Sequence, residues 1–148
     1  MMNNMNVSIG SDHRGFELKE RIKEYLTKNS VTVLDFGTDS NASVDYPDFA
    51  KKVGESVAKE ESKFGITICG SGIGVSIAAN KVKGVRAVNA TNENMAEMSR
   101  KHNNANVICF GADFIDFDTA IKYWSIFSST DFEGGERHNR RIEKINNI

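Results

Sequence analysis

The sequence predicts an α/β domain built on a parallel sheet with helices on both faces. Two observations carry this. Short apolar runs alternate with amphipathic stretches along the whole chain. The runs are mostly apolar at consecutive positions, as strands covered on both faces require.

Taken in order, NVSIGS (6–11) reads as the first strand. GFELKERIKEYLTK (15–28) follows as a helix, with Phe16, Leu18, Ile22, Tyr25 and Leu26 at helical spacing. VTVLDFG (31–37) is a second strand, ended by glycine. The loop TDSNASVDYP then reaches Pro47, the only proline, which suits the first turn of a helix over 47–61 because its missing N–H costs nothing there. FGITIC (64–69) is the third strand and GVSIAANKVK (74–83) the third helix. GVRAVNA (84–90) is a fourth strand, followed by a helix over 92–102. ANVICFG (105–111) is the fifth strand, and helical patterns over 115–128 and 136–147 complete the chain. No repeat or linker divides it, so one domain over residues 1–148 is expected.

The balance of charge excludes several classes of partner. The 148 residues carry a net charge of −1, which leaves no global field to hold nucleic acid or an anionic membrane. Any anion must therefore be bound locally. No apolar run approaches the ~20 residues of a membrane span. The opening MMNNMN lacks the basic and apolar regions of a secretory signal. Cys69 and Cys109 both close apolar runs, and no CxxC or Cys/His cluster is present. Free thiols in a cytoplasmic protein, without a structural zinc site, are expected.

In a parallel sheet with right-handed crossovers, the carboxyl ends of all strands share one edge, where ligands bind. That edge collects Ser11-Asp12-His13, the loop CGSGIG (69–74) and Gly111-Ala112-Asp113. The glycine loop turns a strand into a helix, so its N–H groups and the helix dipole favour an anion. It is not a Walker loop, which would continue Gly-Lys-Ser/Thr; here Gly74 is followed by Val75 and Ser76. Nor does it carry the dinucleotide spacing, or the arginine of a Cys-x5-Arg phosphatase loop. What remains is a thiol beside an anion hole. A thiolate there can attack a carbonyl or remove a proton from carbon, with the loop N–H groups and Ser71 stabilising the resulting oxyanion. The plainer alternative is a buried cysteine with glycines serving only the turn. Cys109 lacks such a loop and is assigned to the core.

Asp12 and His13 are placed for acid–base work, although Asp12 also suits a helix N-cap. His102 closes a helix, where it complements the dipole with Asn103 as C-cap. Helix ends lie at the edge opposite the strand ends, so His102 needs another route to the site, such as a partner subunit. Near the C-terminus, Arg137 and Arg141 are four apart on one helix face and can grip one phosphate, with Arg140 and His138 adding charge. The alternative is a solvated basic helix end paired with Glu133 and Glu136.

SDHRGFELK (11–19), DYPDFA (45–50), CGSGIGVSIAANK (69–81), GVRA (84–87), SRKHNNANV (99–107) and EGGERHNRRIEKI (133–145), in this order, closely resemble the type B ribose-5-phosphate isomerases. That family also includes galactose-6-phosphate and allose-6-phosphate isomerases. The resemblance implies a three-layer α/β/α, Rossmann-like fold with a five-stranded parallel sheet. It also implies a homodimer or dimer of dimers with sites at the subunit interface. The implied reaction interconverts ribose 5-phosphate and ribulose 5-phosphate, in the pentose phosphate pathway, through an enediolate and without metal or other cofactor.

Carried onto this chain, the resemblance makes Cys69 the proton-abstracting base. Some members use a glutamate just after the loop instead, where this chain has Val75. It makes Gly70, Ser71, Gly72, Ile73 and Gly74 the enediolate-stabilising loop, and His102 the group that assists ring opening. Asn103 and His13 become substrate ligands, as does Asp12, which also handles protons between O1 and O2. Arg137 and Arg141 become the phosphate clamp. One departure stands out: the family often has arginine after FGA or FGS, contributing to phosphate binding, and this chain has Asp113. Arg14 and Arg140 are candidates to compensate. Competing readings are a six-carbon phosphate isomerase of the same family, a non-catalytic sugar-phosphate or nucleotide sensor, and a redox protein using Cys69 with Cys109.

Overall fold

The computed structural model describes residues 5–148. The reading of the opening segment as lacking a signal rests largely on residues 1–4, outside the described residues. Five strands and six helices alternate: β1 (Asn6–Ser11), α1 (Phe16–Lys28), β2 (Thr32–Asp35), α2 (Tyr46–Ala58), β3 (Phe64–Cys69), α3 (Ile73–Asn80), β4 (Ala87–Asn89), α4 (Glu93–Asn103), β5 (Val107–Gly111), α5 (Phe117–Ser129) and α6 (Glu136–Asn146). The strands form one sheet in the order β2-β1-β3-β5-β4, and every pairing is parallel. The order reverses direction between β1 and β3, which opens a crevice at their carboxyl ends.

Parallel register sorts the strand side chains onto two faces. Val7, Ile9, Phe64, Ile66, Ile68, Ile108 and Phe110 pack with Leu18, Ile22 and Leu26 of α1, Ala96 of α4 and Trp124 and Phe127 of α5. On the other face Cys69, Val107 and Cys109 pack with Ala50 and Val57 of α2 and Val75 and Ala79 of α3. The expected three-layer α/β/α architecture is therefore present, with α6 lying outside on α4.

Helix α2 sits unusually close to the sheet. A Cβ on Gly10 would come within 2.9 Å of Val53 Cγ2, and one on Gly65 within 2.6 Å of Val53 Cγ1. Contacts that short do not occur, so the sheet is bare at these two positions to admit the helix.

Several element ends differ from the sequence reading for identifiable reasons. β2 stops at Asp35, because Gly37 takes φ +102° and its N–H turns to the Asp35 carboxylate. α2 begins at Tyr46, a residue before Pro47, and ends at Ala58. α3 ends at Asn80, where the chain turns toward Gly84 at φ +93°. β4 is only three residues long at the sheet edge, and the N–H of Ala87 bonds the Asn80 side chain. The C-cap of α4 is Asn104 in the left-handed conformation (φ +46°), so Asn103 is the last helical residue and not the cap.

Lys19 is fully buried, and its ammonium lies 2.8 Å from Asp35 and 2.6 Å from Glu20. Burial works to raise the Asp35 carboxyl, but the Lys19 and Lys23 ammonium groups and the Gly37 N–H outweigh it and hold the group below the ordinary carboxylate value. Among the described residues no helix is long and apolar enough to cross a membrane.

Candidate active site

The carboxyl ends of β1 and β3 bring the first group of predicted residues together. Cys69 is the last residue of β3 and is buried. Gly72 then takes φ +80°, a conformation that favours glycine, and starts α3 as its N-cap. This tight reversal aims the Gly72 N–H back at the Cys69 Sγ, 3.2 Å away. The Ser71 hydroxyl accepts the Ile73 N–H at 3.1 Å, which leaves its own proton to donate. The loop is fastened to the end of β5: Ala112 N–H donates to Cys69 O and Asp113 N–H to Gly70 O, both at 2.9 Å.

Asp12 lies directly after β1 and is buried. One carboxylate oxygen accepts the N–H groups of Arg14 (3.0 Å) and Gly15 (3.1 Å), so Asp12 holds the turn into α1 much as an N-cap would. Its other oxygen remains available. His13 Nδ1 accepts the Val44 N–H at 3.2 Å, which assigns the ring proton to Nε2 and anchors the loop before α2. Cys109 is fully buried; burial pushes its thiol up to about 12, so it stays protonated, as a core residue should. Both cysteines are free.

The second group lies elsewhere. α4 runs back across the sheet, so His102 and Asn103 stand at the amino ends of the strands, where Arg86, just before β4, donates from Nε to Asn103 O at 2.9 Å. The His102 ring stacks on His138 of α6, with centroids 4.6 Å apart and planes 10° from parallel. On α6 His138 and Ile142 face inward, while Arg137, Arg140 and Arg141 are exposed. Glu133 and Glu136 make no ion pair with these arginines among the described residues, so of the alternative of a solvated, paired basic helix end the solvation is present and the pairing is not. Within one chain, then, Asp12, His13 and residues 69–74 converge, and His102, Asn103, Arg137 and Arg141 gather at the opposite edge.

Three features escaped the sequence reading. The Tyr46 ring lies against the loop: a Cβ on Gly74 would meet Tyr46 Cε1 at 2.5 Å. Only the close seating of α2 brings it there. Arg14 reaches across Gly70 to pair with Asp113 at 2.6 Å, so the Asp113 carboxylate has a cation beside it. Arg86 and Arg100 brace the end of α4. Arg86 donates to the carbonyls of Asn103 and Asn104, and Arg100 to those of Thr130 and Ala105. A cleft of about 600 Å³ at the end of β2 is lined by Phe16, Asp35, Thr38 and Phe49, and no residue of the 69–74 loop lines it.

The chain is similar to known proteins over nearly its whole length. The family model for ribose/galactose isomerases matches residues 7–145. The chain is 42% identical to ribose-5-phosphate isomerase B of Escherichia coli over 142 residues, covering 96% of this chain and 95% of that one. Among solved structures it is similar to a ribose 5-phosphate isomerase of Thermotoga maritima (46% identity, 99% and 100% covered, TM-score 0.95). It is also similar to ribose-5-phosphate isomerase B of Mycoplasma genitalium with bound ribulose-5-phosphate (44% identity, 98% and 96% covered, TM-score 0.91). With the sheet order, the glycine loop and the match across nearly its full length, the chain belongs to the ribose/galactose isomerase family.

Proposed function

We propose that this chain is a metal-independent ribose-5-phosphate isomerase, with Cys69 as the base that moves a proton between C2 and C1. The observation that carries the reading is the Cys69–Gly72 contact at 3.2 Å, which puts a thiol and the open N–H groups of a helix start in one turn. The Cys69 thiolate removes the C2 proton of the open aldose. The electron pair forms the C1–C2 double bond, and the carbonyl electrons move to O1. The loop from Gly70 to Gly74 and the Ser71 hydroxyl stabilise that oxyanion, a contribution typically of several kcal/mol to the barrier. Asp12, with one oxygen held and one available, transfers the proton from O2 to O1, and Cys69 returns its proton to C1. His13 donates from Nε2 to the substrate.

Ring opening and phosphate binding fall to the second group. His102 assists opening of the furanose, Asn103 binds substrate, and Arg137 and Arg141 hold the phosphate. These residues sit at the far edge of the same subunit, so they serve the site of a second copy. Exposed Ile77 on α3 and Met95 and Met98 on α4, helices that flank the edge strand β4 on opposite faces, supply apolar surface for such a homodimer. The test is ribulose 5-phosphate formation from ribose 5-phosphate in excess chelator, for wild type and Cys69→Ala. Chelator-resistant turnover lost in the variant is expected. Turnover retained in Cys69→Ala would remove the thiol from its role. Phosphate-sugar binding without turnover in wild type would favour the sensor.

A further inference from the structure

His102, Glu133 and His138 each offer one ligand atom, and the three atoms lie within 4.8 Å of one another. Among the described residues this is the one such convergence of three histidine, cysteine or carboxylate groups. His138 is buried, and its Nε2 has no hydrogen-bond partner. A buried imidazole nitrogen left unpaired is destabilising unless something binds it. Glu133 is exposed with no ion-pair partner among the described residues, while its backbone N–H is fixed to Lys101 O at 3.1 Å. His102, half-buried, makes no side-chain hydrogen bond among the described residues, so two of the three side chains are free to rotate toward the third.

We propose that these three residues bind a divalent transition-metal ion of the zinc class, and that the bound ion inhibits turnover by occupying His102. Two imidazoles and a carboxylate are a recognised donor set for zinc, leaving a fourth position for water. Ligand atoms around a tetrahedral zinc with bonds of ~2.0–2.1 Å are about 3.4 Å apart, so modest side-chain rotations close the site and unstack the two rings. Arg137 and Arg141 oppose a bare cation there and favour an anionic fourth ligand. The inhibitory half rests on the ring-opening role given to His102; the binding half does not.

The experiment titrates the metal-free full-length protein with Zn²⁺ against a chromophoric chelator, and with Co²⁺ while recording its visible spectrum. One ion per chain is expected, with a tetrahedral Co²⁺ spectrum. Glu133→Gln, an exposed change that leaves the fold and basal turnover intact, and His138→Asn should each weaken binding by more than the about 10–100-fold typical of a lost outer-shell partner. Zn²⁺ should inhibit wild type reversibly and Glu133→Gln far less. Binding unchanged in both variants would overturn the site. Binding at this site without inhibition would overturn the regulatory half. A protein that binds the ion but never isomerises the sugar would instead overturn the proposed function.

Discussion

The Arg14 guanidinium and the Asp113 carboxylate meet at 2.6 Å directly over Gly70, at the mouth of the loop that carries Cys69. Both side chains are about half exposed, so the pair contributes little to stability, within about 1 kcal/mol. Its effect falls on the charge that an incoming phosphate meets. Arg14→Ala leaves an uncompensated carboxylate at the rim and should raise KM for ribose 5-phosphate severalfold. Asp113→Asn should lower it. Both effects should shrink with added salt, and an initial-rate series at two ionic strengths reads them.

Cys69→Ala should lower kcat by about 10²–10⁴-fold, the usual range for loss of a general base. Its fold and substrate affinity should survive. Cys109→Ala should keep near-normal kcat. The two thiols should also separate chemically: with its thiol pushed up to about 12 and fully buried, Cys109 should resist alkylation in the folded protein, while Cys69 reacts first and is protected by substrate. Peptide mapping after iodoacetamide treatment distinguishes them.

Mixing tests whether sites are shared. If Cys69 of one copy works with His102 of another, Cys69→Ala and His102→Asn are each inactive alone, yet half of the mixed dimers are heterodimers with one intact site of two. Activity should return to about a quarter of wild type after subunit exchange. No recovery, with exchange verified by native mass spectrometry, would assign both residues to one chain.

The buried Lys19 predicts a stability effect far from catalysis. Asp35→Asn leaves that ammonium with Glu20 as its one carboxylate partner and should cost about 1–3 kcal/mol in urea unfolding at neutral pH. Lys19→Met should cost less, because Asp35 keeps Lys23 (2.9 Å) and the Gly37 N–H. The Asp35 pKa is lowered in the folded state, so its stabilisation is fully present above about pH 4 and fades as pH falls through the folded value. The gap between wild type and Asp35→Asn should therefore narrow in acid.

Much of this was legible in the sequence, because the signals were local. Consecutive apolar positions identified strands buried on both faces, and β1 and β3 fall at the expected residues. Cys69 and the glycines were adjacent in sequence, so their meeting needed no tertiary argument. The position of His102 at the wrong edge followed from counting strand and helix directions. Sheet order was not legible, since β3 skips its neighbour in sequence and pairs with β5. The same holds for Tyr46 on Gly74 and Arg14 on Asp113, which depend on how layers seat across tens of residues. The short β4 was missed because side-chain bonds from Asn80 and Asn106 replace ladder bonds there, and the cap at Asn104 because either of two adjacent asparagines can take the left-handed conformation.

The bare backbone at Gly10 and Gly65 couples the middle of the sheet to Tyr46 at the start of the same helix. Val53 rests on both glycines, and the same helix begins with Tyr46 lying on Gly74. A side chain at position 65 would have to displace Val53 and Val57, and a shift of α2 in response would move Tyr46 relative to Gly74. The seating of the aromatic ring on the loop is thus set four residues upstream of Cys69, in the middle of its own strand.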